Sequence, residues 1–215
     1  DTAADALRDE GLDAIAVACD LTAPEAGQVL VRTAVRRWGR LDTVFANAGF
    51  AREDGLGRLG SPDSPDSLEG LDAMFDLHVR SVLRLADSAL PPIADTGGGL
   101  FLVMSSLSGL RGNAVIGGYG VTKAANAQIA RNLAVQWGHR RIRANALAPG
   151  VIATDFATPI TADPELAAAR LAKTPLRRFG TAAEVAGAAV WLASPAGAFV
   201  SGQTIVIDGG TLASD

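Results

Sequence analysis

The sequence predicts an α/β protein built on one parallel sheet with crossover helices, and three observations carry that expectation. Short β-branched or apolar runs alternate with longer helical patterns along the chain. The composition is 48% hydrophobic with only 5% aromatic residues and 24 glycines, which suits an Ala/Val/Leu-rich protein with many tight turns. The 215 residues contain no internal repeat and no domain-sized linker, so residues 1–215 read as a single domain.

Taken in order, the apolar periodicity predicts helices at about 2–10, 24–38, 66–90, 118–137, 164–172 and 182–193. The strands expected between them are Ala14–Ala18, Thr43–Ala46, Leu100–Met104, Arg143–Leu147 and Thr204–Ile207. Two connections are too long to be simple loops. Arg52–Pro65 is dense in turn formers, and Ala153–Pro175 contains Thr158-Pro159 and Asp163-Pro164. The second, at 153–175, is expected to be a substrate lid with a short helix. Gly55-x-Gly57-x-x-Gly60 matches a phosphate-binding pattern. It does not leave a strand directly, and prolines follow where a helix should open, so it reads as a surface loop.

Composition excludes several partners. The net charge of −4 offers no basic field for a nucleic acid. Cys19 is the only cysteine, so no intrachain disulfide can form, and it reads as a small buried residue at a strand end. The two histidines do not pair as metal ligands, and no metal site is expected. No apolar run has the length of a membrane span, and the chain opens without a signal-peptide pattern. The reading is a soluble cytoplasmic protein with no membrane partner.

The chemistry concentrates around Tyr119-Gly-Val-Thr-Lys123, with Ser106 thirteen residues upstream. A tyrosine and a lysine four apart on a helix project from the same face. A phenol must lose about 3 pKa units, about 4 kcal/mol, to exchange a proton readily near neutrality. One positive charge at about 4 Å supplies about that much at an effective dielectric of about 20. Lys123 is therefore expected to make Tyr119 a usable acid, with the Ser106 hydroxyl hydrogen-bonding a substrate oxygen as charge develops. Taken alone, the Tyr-x-x-x-Lys spacing is common on amphipathic helices.

Its company is not common. Asp20 follows the first expected strand, Asn47-Ala48-Gly49 the second, and Pro149-Gly150 with Ile152 and Thr154 the fourth. Asp208-Gly209-Gly210 follows the last. With Ser106, Tyr119 and Lys123, these short motifs fall in one order at strand C-terminal ends, where open α/β sheets bind ligands. On them the chain resembles the classical short-chain dehydrogenases/reductases over essentially its whole length.

That resemblance implies a Rossmann-type doubly wound parallel sheet and a nicotinamide cofactor, NAD or NADP. It implies an oxidoreductase that interconverts a secondary alcohol and a ketone. Asp20 and Leu21 would contact the adenine, and Asn47, Ala48 and Gly49 would back the ribose. Tyr119 and Lys123 would border the nicotinamide ribose, and Pro149, Gly150, Ile152 and Thr154 the nicotinamide ring. Gly49 and Gly150 would let the ligand approach the backbone. On the residues alone, Asp20 also suits a cap for the next segment and Asn47–Gly49 an ordinary turn. The Thr174–Gly180 stretch resembles 3-oxoacyl carrier-protein reductases and sugar or polyol dehydrogenases. Pairing of the two long helices with symmetry mates implies a homodimer or homotetramer.

Two departures stand out. His78 aligns with a position where the family has an asparagine that orders a proton-relay water, and the expectation is that His78 relays a proton. A histidine merely packed on a helix face is the alternative. The chain also opens without the family's Gly-rich turn, so about one βαβ unit, on the order of 30 to 40 residues, is expected to precede Asp1 in the natural protein. A second functional class, a non-catalytic dinucleotide sensor or scaffold on this fold, accommodates both departures but leaves the Ser-Tyr-Lys set unexplained.

Overall fold

The computed structural model describes residues 2–51, 68–113 and 115–214. The Arg52–Pro65 loop, the glycine pattern within it and the expected helix start at 66 lie outside them. Helix α1 (Thr2–Asp9) and helix α2 (Ala26–Trp38) precede strand β1 (Thr43–Ala46). Helix α3 (Glu69–Phe75) continues through a π turn (Asp76–Arg80) into helix α4 (Ser81–Asp95). Strand β2 (Gly99–Met104), helix α5 (Gly117–Trp137) and strand β3 (Ile142–Pro149) follow. Helices α6 (Thr158–Thr161), α7 (Pro164–Ala172) and α8 (Ala182–Ala193) lead to strand β4 (Thr204–Ile207).

The sheet has the order β1-β2-β3-β4 and every pairing is parallel. Side chains alternate across it with the strand period of two. Phe101 and Val103 of β2, with Ile142, Ala144 and Ala146 of β3, turn toward α2, α4 and α5, where they meet Val31, Leu90, Ile93 and Ala130. Leu100, Leu102 and Leu147 turn the other way onto Val185 and Leu192 of α8. Each such Leu, Ile or Phe contributes about 1.5–3 kcal/mol on full burial. Helices on both faces of a parallel sheet make the doubly wound, Rossmann-type architecture that the sequence implies.

Three expectations need correction. Ala14–Ala18 forms no strand. Its residues have strand propensity, but a strand exists only through ladder bonds, and this segment has none. Arg8 Nη1 donates to the Ala14 carbonyl, and Arg37 and Trp38 donate to the Asp13 carboxylate, which ties the segment to α1 and α2 instead. Cys19, expected to be buried, is exposed for the same reason. The third is the end of the long helix, which continues to Asp95 through Pro91 and Pro92. Leu90, Ile93 and Ala94 are buried there, so core packing overrides the two missing N–H donors.

Asn145 performs a structural task the sequence does not advertise. It is fully buried in β3; its Nδ2 donates to the Val200 carbonyl at 2.8 Å and its Oδ1 accepts from the Gln203 N–H at 2.9 Å. These bonds fix the turn that delivers β4.

Candidate active site

Because the four strands are parallel, their C-terminal ends lie along one edge, and the segments leaving them converge there. Helix α5 presents Tyr119, Thr122, Lys123 and Asn126 as one stripe at i, i+3, i+4 and i+7. All four are buried. The stripe is locked to the end of β2: Ser105 Oγ donates to the Lys123 carbonyl at 2.7 Å, while Lys123 Nζ and Asn126 Nδ2 both donate to the Met104 carbonyl, at 2.9 and 3.1 Å.

Ser106 has extended backbone, and its hydroxyl accepts from the Ser108 N–H at 3.1 Å, opening a 3-10 turn (Leu107–Gly109). The same hydroxyl interacts with the Tyr119 phenol. Ser106, Tyr119 and Lys123 therefore come together, with an electrostatic balance that differs from the sequence expectation. Burial raises the Tyr119 pKa, and only the Ser106 hydroxyl pulls it down. Lys123 Nζ lies 5.5 Å from the centroid of the Tyr119 ring, a cation–π placement, and spends a proton on the Met104 carbonyl. Burial lowers the lysine to about 8.

His78 sits in the π turn, buried against the same group. Its Nε2 accepts from the Phe50 N–H at 3.1 Å, and its Nδ1 lies 2.8 Å from Thr122 Oγ1. Its ring meets Phe50 at 5.6 Å and Tyr119 edge-on at 5.7 Å, and Phe156 closes the row 6.2 Å beyond Tyr119. Phe50, Phe156 and Thr122 are site residues that sequence reasoning missed; only the position of Thr122 within the Tyr-x-x-x-Lys stripe could have signalled one of them.

Burial, followed by the nearby Lys123 charge, lowers the His78 pKa from 6.5 to about 3. The unfolded chain then takes up a proton as pH falls below 6.5 while the folded ring stays neutral. Stability contributed above that pH is lost progressively toward pH 3, by roughly 5 kcal/mol in all. His78→Asn should flatten that part of the profile. Urea unfolding at a series of acidic pH values checks this, and an unchanged slope would contradict it.

The remaining expected residues separate by role. Gly49 stands where a side chain would come within 3.0 Å of His78 Nε2 and 3.3 Å of Lys123 Nζ, so the Asn47–Gly49 turn closes directly over the lysine. Lys123 also retains N–H donors beyond the one on Met104. A ribose hydroxyl fits that donor set and that bare backbone. Gly150 is different: a Cβ there would lie 2.9 Å from the Cα of Asp208. The chain just after β4 passes that close, which leaves no room for a side chain at this position. Pro149 ends β3, Ile152 bridges to Gly180, and Thr154 is exposed with its hydroxyl toward the Ile152 carbonyl.

Asp20 closes a local turn, accepting from the Thr22 N–H and hydroxyl at 2.8 and 2.7 Å, and Leu21 lies in the same turn. Asp208 caps the last 3-10 turn through the Gly210 and Leu212 N–H groups. A cleft of about 280 Å³ opens between Ile152, Arg178, Glu184 and Asp208, and Ser106, Tyr119 and Lys123 do not line it. Among the described residues, no cluster of three or more metal-ligating side chains occurs, and no helix is long and apolar enough to cross a membrane.

Comparison with known proteins gives the family and the fold. A family model described as Enoyl-(Acyl carrier protein) reductase matches residues 1–211. The 7alpha-hydroxysteroid dehydrogenase of Escherichia coli (strain K12) is 32% identical over 208 residues, 96% of this chain and 77% of that protein. A gluconate 5-dehydrogenase from Burkholderia cenocepacia J2315, solved in complex with NADP and tartrate, superposes with a TM-score of 0.89 at 28% identity, covering 100% of this chain and 81% of that one. A 7 alpha-hydroxysteroid dehydrogenase complexed with NADH and 7-oxo glycochenodeoxycholic acid gives 0.86 at 32% identity, covering 97% and 80%.

Proposed function

The chain belongs to the short-chain dehydrogenase/reductase family, and on that premise we propose that it interconverts a secondary alcohol and a ketone with NAD or NADP, using Ser106, Tyr119 and Lys123. The observation that carries the assignment of these residues is their convergence: a hydroxyl, a phenol and an ammonium meet at the C-terminal edge of a parallel sheet, beneath the bare backbone of Gly49. Nothing favours the non-catalytic sensor or scaffold.

The bound nicotinamide supplies or accepts the hydride. The chain's residues handle the proton and the charge. In the reducing direction the Tyr119 phenol, kept protonated by the burial that raises its pKa, donates to the carbonyl oxygen. Ser106 donates a second hydrogen bond to that oxygen as it becomes negative. The Lys123 ammonium, anchored on the Met104 carbonyl, offers its remaining N–H groups to the ribose, with Asn47, Ala48 and Gly49 behind that sugar. Ile152, Thr154 and Pro149 border the ring, Asp20 and Leu21 the adenine, and the 153–175 segment covers the substrate. Phe156 walls the substrate on the outer side of Tyr119.

Incubation with NADH or NADPH and a panel of cyclic and open-chain ketones tests this reading. Oxidation of one nucleotide with formation of the matching alcohol is expected; none on any ketone would sink it. The protein further assembles with copies of itself, as a homodimer or homotetramer. The exposed Leu83 of α4 and Val121 and Val135 of α5 support that, and light scattering measures it.

A further inference from the structure

We propose that His78 and Thr122 form a positioning pair that fixes the distance between the Asn47–Phe50 turn and the helix carrying Tyr119 and Lys123, and that His78 relays no proton. The inference rests on the oxidoreductase reading, because the distance it fixes is the one between the cofactor's support and the proton donor.

The π turn inserts an extra residue into the α3–α4 helix and turns His78 inward, where it is fully buried. From there the ring spans two separate elements, and the direction of each hydrogen bond follows from its partners. The Phe50 amide can only donate, so Nε2 must be the unprotonated nitrogen. Nδ1 therefore carries the proton and donates to Thr122 Oγ1 at 2.8 Å. Thr122 in turn donates its own proton to the Tyr119 carbonyl at 2.8 Å, and it too is fully buried.

The chain of bonds thus starts on a backbone amide and ends on a backbone carbonyl. Neither end exchanges a proton in this pH range, so protons cannot pass along it without breaking it. What it can do is hold geometry. It joins the end of β1 to α5 between the two functional side chains, with Gly49 packed against both the imidazole and Lys123 Nζ. Displacement of a reacting group by about 1 Å can cost about a hundredfold in rate, so such a tie has a kinetic consequence.

The test combines spectroscopy with kinetics. In protein labelled with 15N-histidine, NMR should report His78 as the neutral Nδ1–H tautomer throughout, from about pH 5 to about pH 9. Thr122→Val, which keeps the shape and removes the hydroxyl, should lower kcat about tenfold and enlarge the primary deuterium isotope effect on hydride transfer. The pKa values of its pH–rate profile should not move, and Thr122→Ser should recover most of the loss. An Nε2–H tautomer or an imidazolium in the unmodified protein would overturn the proposal. So would a Thr122→Val enzyme with unchanged kcat, or one with a shifted pH profile, the mark of a relay. The NMR reading needs no turnover. An active enzyme with the wrong tautomer therefore sinks the pair alone, whereas the right tautomer in a protein inactive on every ketone sinks the oxidoreductase reading and, with it, the positioning role.

Discussion

Tyr119→Phe is expected to reduce turnover by about a thousandfold or more while leaving nucleotide affinity and thermal stability nearly unchanged. Positioned proton transfer contributes about 10² to 10⁴ in rate, and the phenol is the proton donor to the substrate oxygen in this site. The substitution removes that hydroxyl and little else. The phenylalanine ring retains the edge contact with His78 and the tilted contact with Phe156, so the cavity keeps its shape. Steady-state kinetics with a nucleotide titration on the same variant separates the two effects. Retained turnover would remove Tyr119 from the mechanism; lost turnover accompanied by lost folding would leave only a structural role.

Lys123→Met should move activity and stability in opposite directions. Turnover should fall by on the order of a hundredfold or more and nucleotide affinity should weaken, because the ribose loses its cation and the nucleotide its alignment with Tyr119. Stability near neutrality should rise. The ammonium is 2% exposed, and burial takes its pKa from 10.5 to about 8. As pH falls from 10.5 the unfolded chain protonates first, so the stability present above that value is lost across the window and the full penalty remains below about 8. At about 1.4 kcal/mol per unit that penalty is roughly 3.5 kcal/mol, against about 1 kcal/mol for the lost bond to the Met104 carbonyl. Asn126 continues to satisfy that carbonyl. A higher Tm in an inactive enzyme is the expected outcome of thermal unfolding at neutral pH; a lower one would show that the fold needs the charge.

These two side chains were legible because their relation is local. Four residues apart on a helix is a statement about geometry before any fold is known, and Ser106 at a strand end adds to it. The bonds of Asp20 are just as local, since its partner Thr22 is two residues away, though they close a turn and do not cap the next helix. The His78–Thr122 tie spans 44 positions and depends on a π turn that no periodicity announces. The row from Phe50 to Phe156 likewise exists only once the strand ends are brought together.

The electrostatics of Tyr119 were misread for a related reason: the i, i+4 rule gives a shared face but not the atom at which a long side chain ends, and Lys123 ends on a backbone carbonyl. Ala14–Ala18 failed differently. Its propensity is that of a strand, but pairing decides strands, and Asp13 and Ala14 are bound to helices. At Pro91-Pro92 local chemistry argued for an end, and burial of Ile93 argued more strongly against it.

The most direct test of the central claim is transfer of deuterium from the nicotinamide C4 position of labelled NADH or NADPH to a ketone, followed by mass spectrometry of the alcohol. The account predicts one deuterium on the carbinol carbon with the unmodified protein and about a thousandfold slower labelling with Tyr119→Phe. Alcohol without deuterium, or labelling at the same rate in the variant, would contradict it.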